Sequence, residues 1–375
     1  MTPVELSRTV LRAMRGAVAD GELRGLGDLG EPGGEGVARK VVVERSRPGG
    51  CGDYATNVAL QIARAAGRSP RQVAEVLSPR LAGEPGIAAI DITGPGFLNI
   101  TLDPGQGGRG EGGEGGQGSS AAAELVHDVL TRGARYGHAR PGSRGPHQLH
   151  FPREVRAAVL ADSLRRILVA RGALVRSTCE EAPDAAWAAG LGVRVDAHGT
   201  PPVPLKTLRP VPAPADPVFL GRDAARWALL SPAAHDRPRI SEEHLVQRAS
   251  NPLFRVRYAH SRTRALTRNA AALGFTRTAG DIAGDTTGAA RDLLDALDAH
   301  PRVLAAAAEH QAPDRLARHL VHTADALLAF QPAVLPLGDE KPSAAHRARL
   351  ALAEAAGTVL AGGLSLLGIS APEYV

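Results

Sequence analysis

The segment DPGQGGRGEGGEGGQGSS, residues 103–120, limits what this chain can fold into more than any other feature. It offers nothing that can build a core, so residues 104–120 are predicted to form a flexible Gly-rich linker. A chain of 375 residues, 43% of them hydrophobic, is long enough to build a separate core on each side of that linker.

Residues 1–103 mix helical and extended patterns. The stretch MTPVELSRTVLRAMRGAVAD predicts an amphipathic helix, and VARKVVVE predicts a strand. ATNVALQIARAAG and SPRQVAEVLSPRL predict two more helices, and IAAIDITGPGFLNITL predicts a closing strand. This mixture indicates a small α+β amino-terminal domain.

Two regions follow the linker. Residues 121–217 begin with a connecting helix and continue as PHQLHFPREVRAAVLADSLRRILVARGALV, which predicts a lead-in, an amphipathic helix and the start of a strand. Nucleotide-binding domains begin in this way, but from Cys179 to about Pro217 the chain is rich in Ala, Pro and Gly and is predicted to be loosely ordered. Residues 218–375 are predicted to be an all-α bundle, with a break or restart at Asn251-Pro252.

The amphipathic helix of this central region has one apolar face. That face carries Leu160, Leu164, Ile167 and Leu168. Four arginines are expected around its other sides, namely Arg153, Arg156, Arg165 and Arg166. The helix therefore has a reason to pack even if no ligand binds beside it.

Charge and cysteine content narrow the class of protein. The formal charge is +5 and the basicity is almost entirely arginine, whose planar guanidinium suits phosphate. Two cysteines are too few for a thiolate zinc site or a disulfide scaffold, which fits a reducing cytoplasm. The first helix lacks a signal-peptide pattern, and no stretch approaches the roughly 20 apolar residues of a membrane span. We expect a soluble cytoplasmic protein with no membrane partner.

Several motifs that look chemical lack the context that chemistry needs. Gly25, Gly27 and Gly30 spell GxGxxG, as do Gly105, Gly107 and Gly110, but neither site has the strand and helix of a dinucleotide fingerprint. Three histidines, His138, His147 and His150, lie in a connection without helical spacing or a neighbouring carboxylate. We therefore predict no metal site and no covalent catalysis.

Three separated stretches resemble the arginyl-tRNA synthetases in the order of that family. The first is GDYATNVALQIARAAGRSPRQVAEVL with IDITGPGFLNITL, which is similar to the amino-terminal domain that holds the tRNA elbow. The resemblance implies elbow-binding positions at Asp53, Tyr54, Asn57, Phe97 and Asn99. Phe97 and Asn99 are the positions it assigns to the D-loop.

The last stretch, from GRDAARWALLS through NPLFRVRYAHSRTRAL, resembles the DALR-type anticodon-binding domain. Its motif stands here as Asp223, Ala224, Ala225 and Arg226, and the closing GLSLLGISAPEYV is also typical of the family. The resemblance implies that the helix after Pro252 binds RNA. The candidate RNA-binding residues are Arg257, Tyr258, His260, Arg262, Arg264 and Arg268.

The residues of that helix agree with RNA binding on physical grounds. Arg257, Arg264 and Arg268 share one face, while Arg255 and Arg262 share another. Arginines pair with phosphates, and an aromatic ring between them offers a stacking plane to an unpaired base. A charge run of this kind is also compatible with a merely solvated helix face.

The middle stretch departs from the family at the catalytic centre. The His-x-Gly-His signature of class I synthetases falls on Phe151, Pro152, Arg153 and Glu154, none of which is a required residue. A carboxylate at Glu154 would repel phosphate where an imidazole should attract it. For Lys-Met-Ser-Lys the chain offers only PLKTLRP, with Lys206 and Arg209.

Length makes the same point, because a doubly wound nucleotide-binding sheet needs well over 100 residues. Gly145 and Asp216 enclose only 72 residues, counting both ends. The fold class expected is therefore an α+β amino-terminal domain, a short remnant of an α/β nucleotide-binding domain, and an all-α carboxyl-terminal bundle.

The function expected is that of an arginyl-tRNA synthetase-like tRNA-binding protein without aminoacylation activity and without a cofactor. One alternative is an active arginine-tRNA ligase, which would use ATP. A second is a scaffold that binds a protein, for example another synthetase. The sequence leaves open which tRNA is bound and what the oligomeric state is.

Overall fold

The computed structural model describes residues 3–23, 43–45, 54–84, 86–102, 117–200, 205, 207–280, 282 and 288–375. The chain divides into two compact units, Met1–Glu114 and Gly115–Val375. Each unit has its own hydrophobic core. The assignment of the Gly-rich segment as a linker stays a prediction, because most of it lies outside the described residues.

The first unit packs helices on an antiparallel sheet. Its helices are α1 Pro3–Ala19, α2 Val58–Ile62 and α3 Pro70–Ala82. Its strands are β1 Val43–Arg45, β2 Tyr54–Thr56, β3 Ile87–Thr93 and β4 Phe97–Leu102, in the order β1-β2-β4-β3. The apolar face of α1, which includes Leu6, Val10 and Met14, is fully buried in this core.

Local sequence signals define where α3 begins and where the β3-β4 turn lies. Ser69 and Gln72 form a reciprocal capping box, and Pro70 follows as the first helical residue. Gly96 in the turn has a φ of 140°, and a Cβ at this position would come within 2.7 Å of the Pro70 carbonyl oxygen. The turn therefore lies directly against the start of α3, and only glycine fits there.

Two details of the predicted amino-terminal domain need correction. The closing strand is a hairpin, because Gly94 and Gly96 turn the chain so that β3 and β4 pair with each other. Residues Tyr54–Thr56, predicted as turn and helix start, form a strand that pairs with β4. The helix begins only after Asn57, where the Thr56 hydroxyl accepts the Val58 N–H at 3.3 Å.

The second unit begins with α4 Gln117–Arg132, which includes the last four residues of the predicted linker. A three-stranded parallel sheet follows, β5 His147–Phe151, β6 Val175–Cys179 and β7 Ala197–His198, in the order β5-β6-β7. Helix α5 Val155–Ala170 connects β5 to β6, and α6 Ala185–Leu191 precedes β7. This is the short α/β remnant that the sequence predicts.

The segment after Cys179, predicted to be loosely ordered, contains regular structure. The prediction failed because composition does not reveal backbone pairing to a distant strand. Asp196 N donates to the Ser177 carbonyl at 3.1 Å, and Leu208 N donates to the His150 carbonyl at 2.7 Å. Residues on both sides of 201–204 are thus attached to the sheet.

The remainder is helical. Its helices are α7 Gly221–Leu230, α8 Pro252–Ala272, α9 Gly288–Glu309, α10 Pro313–Phe330 and α11 Ala344–Leu367. The predicted restart at Asn251-Pro252 is confirmed, since the Asn251 side chain caps α8 by accepting the Leu253 N–H at 3.1 Å. The all-α bundle predicted from periodicity is confirmed with it.

Helix α11 corrects the expectation that no segment could span a membrane. Its 24 residues are long and apolar enough by length and composition, with a mean hydropathy of 1.7 over 18 residues. However, 72% of that window is buried inside the protein, where α11 packs against α8, α10 and α4. Such burial is what the central helix of a bundle requires.

A buried ion pair joins the remnant to the bundle. Arg226 of α7 and Asp162 of α5 are both fully buried and lie 2.8 Å apart. Arg226 also donates to the carbonyls of Leu191 and Leu367 at 3.0 and 2.7 Å. Burial lowers the pKa of Arg226 to about 10, and Asp162 opposes that effect, so the guanidinium stays charged at neutral pH.

A second buried arginine is Arg156, which the sequence placed away from the apolar face of its helix. Its side chain is fully buried, and the guanidinium donates to five backbone carbonyls at 2.7 to 3.2 Å. The acceptors are Val211, Leu229, Pro232, Ala233 and Asp236. Helical periodicity places Arg156 on a side of α5 away from its apolar face, but only the folded chain brings these carbonyls around it.

Two histidines are buried between α9 and α10. The rings of His300 and His319 lie 5.3 Å apart, and Tyr136 stacks on His300 at 5.9 Å. The His300 Nδ1 and His319 Nε2 atoms have no hydrogen-bond partner among the described residues. Burial, with a contribution from His138, lowers the pKa of His300 to about 4, and burial lowers that of His319 to about 3.

This pair predicts a loss of stability in mild acid. Below pH 6.5 the histidines take up protons in the unfolded chain but remain neutral in the folded one. The free energy of unfolding is unaffected by their titration above pH 6.5. As the pH is lowered from 6.5, it decreases by about 1.4 kcal/mol per pH unit for each histidine until the pKa of the folded state is reached. Urea unfolding between pH 7 and 4.5 measures it.

The variant His300→Phe/His319→Leu should flatten this pH dependence, while His310→Gln, at an exposed position, should leave the slope as in the wild type. An unchanged slope in the double variant would show that other groups govern the acid sensitivity.

Candidate nucleic-acid interface

Phe151 to Glu154, on which the nucleotide signature of the resemblance falls, lie at the end of β5 and the start of α5. Phe151 is fully buried, and its position in β5 pairs with Cys179 of β6. Glu154 is the N-cap of α5, and its carboxylate accepts the N–H groups of Arg156 and Ala157 at 3.0 and 2.7 Å. It also accepts the Ala213 N–H at 3.0 Å.

This arrangement places an internal anion where a phosphate would be expected in a nucleotide-binding domain. The N-terminus of a helix attracts anions because its first N–H groups lack partners within the helix. Here the Glu154 carboxylate takes those donors. That Glu154 disfavours phosphate stays a prediction. Its role as a cap includes an N–H from Ala213, which lies 59 residues further along the chain.

The segment corresponding to the second catalytic signature is also engaged within the protein. Arg209 donates to the Glu180 carboxylate at 2.8 Å on the surface. Lys206 lies outside the described residues. A cleft of about 550 Å³ exists elsewhere, between the start of α7, the start of α8 and the closing segment Ser370–Val375, and its lining includes none of Phe151 to Glu154.

The candidate RNA-binding residues of α8 divide between two faces. On the first face, four side chains contact α7 or the closing segment. Arg257 lies 3.7 Å from Asp223, the His260 Nδ1–H donates to the Pro372 carbonyl at 3.0 Å, and Arg264 lies 3.5 Å from Glu373. Arg268 lies over the Tyr374 ring, 4.6 Å from its centre.

The second face of α8 is turned to α10 and the short helix that follows it. Arg255 lies 3.5 Å from the Asp325 carboxylate, and Arg262 donates to the Gln331 side chain at 3.2 Å. Tyr258, between them, stacks on Phe254 with ring centres 5.6 Å apart. All three side chains are partly exposed, so this face combines two guanidinium groups with one aromatic ring.

His260 differs from its arginine neighbours because it is buried, with 4% of its surface exposed. Burial and the charge of Arg264 lower its pKa, although its hydrogen bond to Pro372 opposes them. The ring is therefore neutral at pH 7 and holds the closing segment. A buried, neutral ring whose Nδ1–H is already bonded is poorly suited to bind phosphate.

The elbow-binding candidates of the first unit also differ in exposure. Tyr54 is a core residue, and Asn99 is buried, donating to the Thr93 hydroxyl at 2.7 Å. Asn57 and Phe97 are exposed, and the β2-β4 register places them at the same end of these two neighbouring strands. Asp53 lies outside the described residues. RNA contact stays a prediction for all five, with Asn57 and Phe97 the most accessible side chains described.

Metal ligation finds no support in the described part of the chain. No group of three or more histidine, cysteine, aspartate or glutamate side chains is arranged there to hold an ion. His147 and His150 lie in β5, where the His150 ring pairs with the Thr178 hydroxyl at 3.0 Å.

The sequence did not reveal the buried polar residues of the second unit that make the most hydrogen bonds. It placed Arg156 away from the apolar face of its helix and gave no partner to Arg156, Arg226 or Asp162. It also passed over Tyr374, whose ring is 72% exposed beside Arg268. A lone aspartate in a hydrophobic helix, at Asp162, was the available signal for a buried ion pair.

Two family models match the chain. The model of the arginyl tRNA synthetase N terminal domain matches residues 19–102, and that of the DALR anticodon binding domain matches residues 256–375. The Asp223–Arg226 motif lies before the second matched range, which begins within α8.

The curated relatives are longer than this chain. The arginine-tRNA ligase of Renibacterium salmoninarum is 28% identical over 574 aligned positions that cover 100% of both chains, and that of Frankia alni is 28% identical over 577. The first alignment exceeds the 375 residues of this chain by 199 positions. A Kineococcus radiotolerans ligase is 37% identical over 185 residues, 47% of this chain and 29% of its own.

Solved structures share the fold at low identity. Arginyl-tRNA synthetase from Thermus thermophilus has a TM-score of 0.61 at 14% identity, with 100% of both chains covered. The Plasmodium falciparum enzyme has a TM-score of 0.63 at 8% identity, covering 100% of this chain and 99% of its own. The two matched domains are domains of aminoacyl-tRNA synthetases, and the solved structures share the fold. More narrowly, the chain is arginyl-tRNA synthetase-like in both matched regions.

The cap at Glu154 predicts a measurable contribution to stability. Glu154→Ala should lower the free energy of unfolding by about 1 to 2 kcal/mol, because the N–H groups of Arg156, Ala157 and Ala213 lose their acceptor. Urea denaturation measures the effect. Glu154→Gln is the matched control, since its amide oxygen still accepts and should recover part of the loss. Wild-type stability in the alanine variant would contradict the capping role.

Proposed function

We propose that this arginyl-tRNA synthetase-like protein binds tRNA and does not catalyse aminoacylation. The observation that carries the proposal is Glu154. Its carboxylate takes the N–H donors at the start of α5, the position where the family signature would stabilise the triphosphate. A nucleotide phosphate at the same place would have to displace a capping carboxylate and would meet its negative charge.

Two further observations support the loss of adenylate chemistry. The sheet beside α5 has three described strands, the last only two residues long, whereas a doubly wound nucleotide-binding domain needs several βαβ units. Arg156 ties residues Val211 to Asp236 against the start of α5. Carbonyls of this segment therefore lie beside the first turn of α5.

The RNA-binding part of the proposal rests on the two matched domains and on α8. Arg255 and Arg262 flank Tyr258 on one face, which combines cations for phosphates with a plane for an unpaired base. In the first unit, Phe97 and Asn57 are exposed at one end of strands β2 and β4, where they can contact the tRNA elbow. We further propose a cytoplasmic location, where tRNA is charged and used.

Two alternatives are distinct from this proposal. The relatives are named as arginine-tRNA ligases, which favours an active enzyme that uses ATP. The second is a scaffold that binds another synthetase through the retained domains. The exposed side chains of Phe219 and Leu245 suit such a contact, and Leu245 also lines the 550 Å³ cleft.

Catalysis is tested by ATP-pyrophosphate exchange with L-arginine, in the presence and absence of tRNA. We expect no exchange above the blank, because the residues that would stabilise the triphosphate are absent and their site is capped. The Renibacterium salmoninarum ligase serves as the positive control. Arginine-dependent exchange by this chain would establish the enzyme alternative instead.

RNA binding is tested by a gel shift with bulk tRNA at several salt concentrations. We expect retardation at low salt, and the double variant Arg255→Ala/Arg262→Ala should reduce the slope of log K against log salt by roughly 0.7 to 0.9 for each phosphate that is no longer neutralised. Arg291→Ala removes one exposed arginine from α9 and is the control for each single substitution, Arg255→Ala or Arg262→Ala. No retardation at low salt would favour the scaffold alternative.

A further inference from the structure

The closing segment Ser370–Val375 runs along the first face of α8. It begins firmly attached, since Ile369 is buried and the Ser370 N–H and hydroxyl both donate to the Asp223 carboxylate. The Pro372 carbonyl then accepts from the buried ring of His260. Up to this point the segment is part of the fold.

Beyond Pro372 the contacts become weak and exposed. The Arg264–Glu373 pair is 3.5 Å long, and the two side chains are 53% and 57% exposed. Tyr374 is 72% exposed and contacts Arg268 through the face of its ring. Ion pairs and cation-π contacts at such exposure contribute little to stability, so the end of the segment can leave α8 without disturbing the core.

The chemistry of these two contacts resembles that of RNA. Glu373 presents a carboxylate to one arginine, and Tyr374 presents an aromatic ring to the next arginine along the face. A strand of RNA presents the same two kinds of group, a phosphate and a base. Phosphates make stronger charge-assisted hydrogen bonds to guanidinium than one distant carboxylate does, so RNA can compete for both side chains.

Space for such a ligand exists beside Arg264. A cleft of about 350 Å³ is lined by Arg264, Thr267 and Arg277 on one side and by small residues of α11, including Gly357 and Ala361. Arg277 forms an ion pair with Glu354 at 2.7 Å. The other arginine that lines this cleft, Arg264, forms its ion pair with Glu373 of the closing segment.

We propose that Glu373 and Tyr374 form an autoinhibitory strap that masks Arg264 and Arg268 and is displaced when RNA binds. The proposal rests on the tRNA binding proposed above and adds a regulation of that site. The second face of α8, with Arg255 and Arg262, is free of the strap. RNA therefore gains Arg264 and Arg268 as full phosphate and base partners only when the strap leaves.

The test measures binding of bulk tRNA by the full chain and by Glu373→Gln/Tyr374→Ala, at several salt concentrations. Removing the strap contacts should tighten binding at low salt about two- to fivefold. It should also steepen the salt dependence by roughly 0.7 for each arginine that gains a phosphate. Glu309→Gln removes an exposed carboxylate from α9 and should produce neither change.

A second comparison separates release of Arg264 from a general change in charge. Arg264→Ala should weaken binding more in the Glu373→Gln/Tyr374→Ala background than in the wild type, because the strap masks Arg264 only in the latter. Arg255→Ala, on the unmasked face, should weaken binding equally in both backgrounds.

The outcomes distinguish the two proposals. If the wild type binds tRNA but the strap variant binds equally or less tightly, the strap is refuted and Tyr374 counts as an RNA contact or a bystander, while the proposed function stands. If Arg264→Ala has the same effect in both backgrounds, masking is refuted. If neither chain binds tRNA at low salt, both proposals fall.

Discussion

The second unit depends on one buried interaction, the ion pair between Asp162 of α5 and Arg226 of α7. Two charges without solvent are tolerated only when each finds partners, and here the Arg226 guanidinium also binds two carbonyls from the ends of α6 and α11. Removing α5 would leave Arg226 as an uncompensated buried charge in the helical bundle. This gives a physical reason why the bundle requires α5, independent of any ligand.

Arg156, at the start of α5, is a second buried charge whose partners come from elsewhere in the chain. Its five hydrogen bonds hold carbonyls of the segment between Val211 and Asp236 against the start of α5 and satisfy the buried guanidinium. Glu154 caps the same helix through the N–H groups of Arg156, Ala157 and Ala213. The start of α5 therefore connects the parallel sheet to the bundle through structural interactions.

The predictions made from sequence succeed where local pattern decides structure. The α+β amino-terminal domain, the β5-α5-β6 unit and the bundle after Asn251-Pro252 follow from apolar periodicity and from proline and glycine. They fail where partners are distant in sequence. Residues Tyr54–Thr56 form a strand because β4 is available to pair with them, and the chain after Cys179 is ordered by hydrogen bonds to β5 and β6.

The candidate RNA site shows the same division. Sequence alone determined that α8 carries arginines on two faces, because helical geometry follows from spacing. It also determined that the nucleotide signature is absent and that too few residues remain for a complete catalytic sheet. Only the tertiary structure decided that Glu154 caps a helix, that Arg156 and Arg226 are buried, and that Glu373 and Tyr374 cover one face of α8. Each of these depends on groups brought together from separate parts of the chain, and local spacing carries no record of such partners.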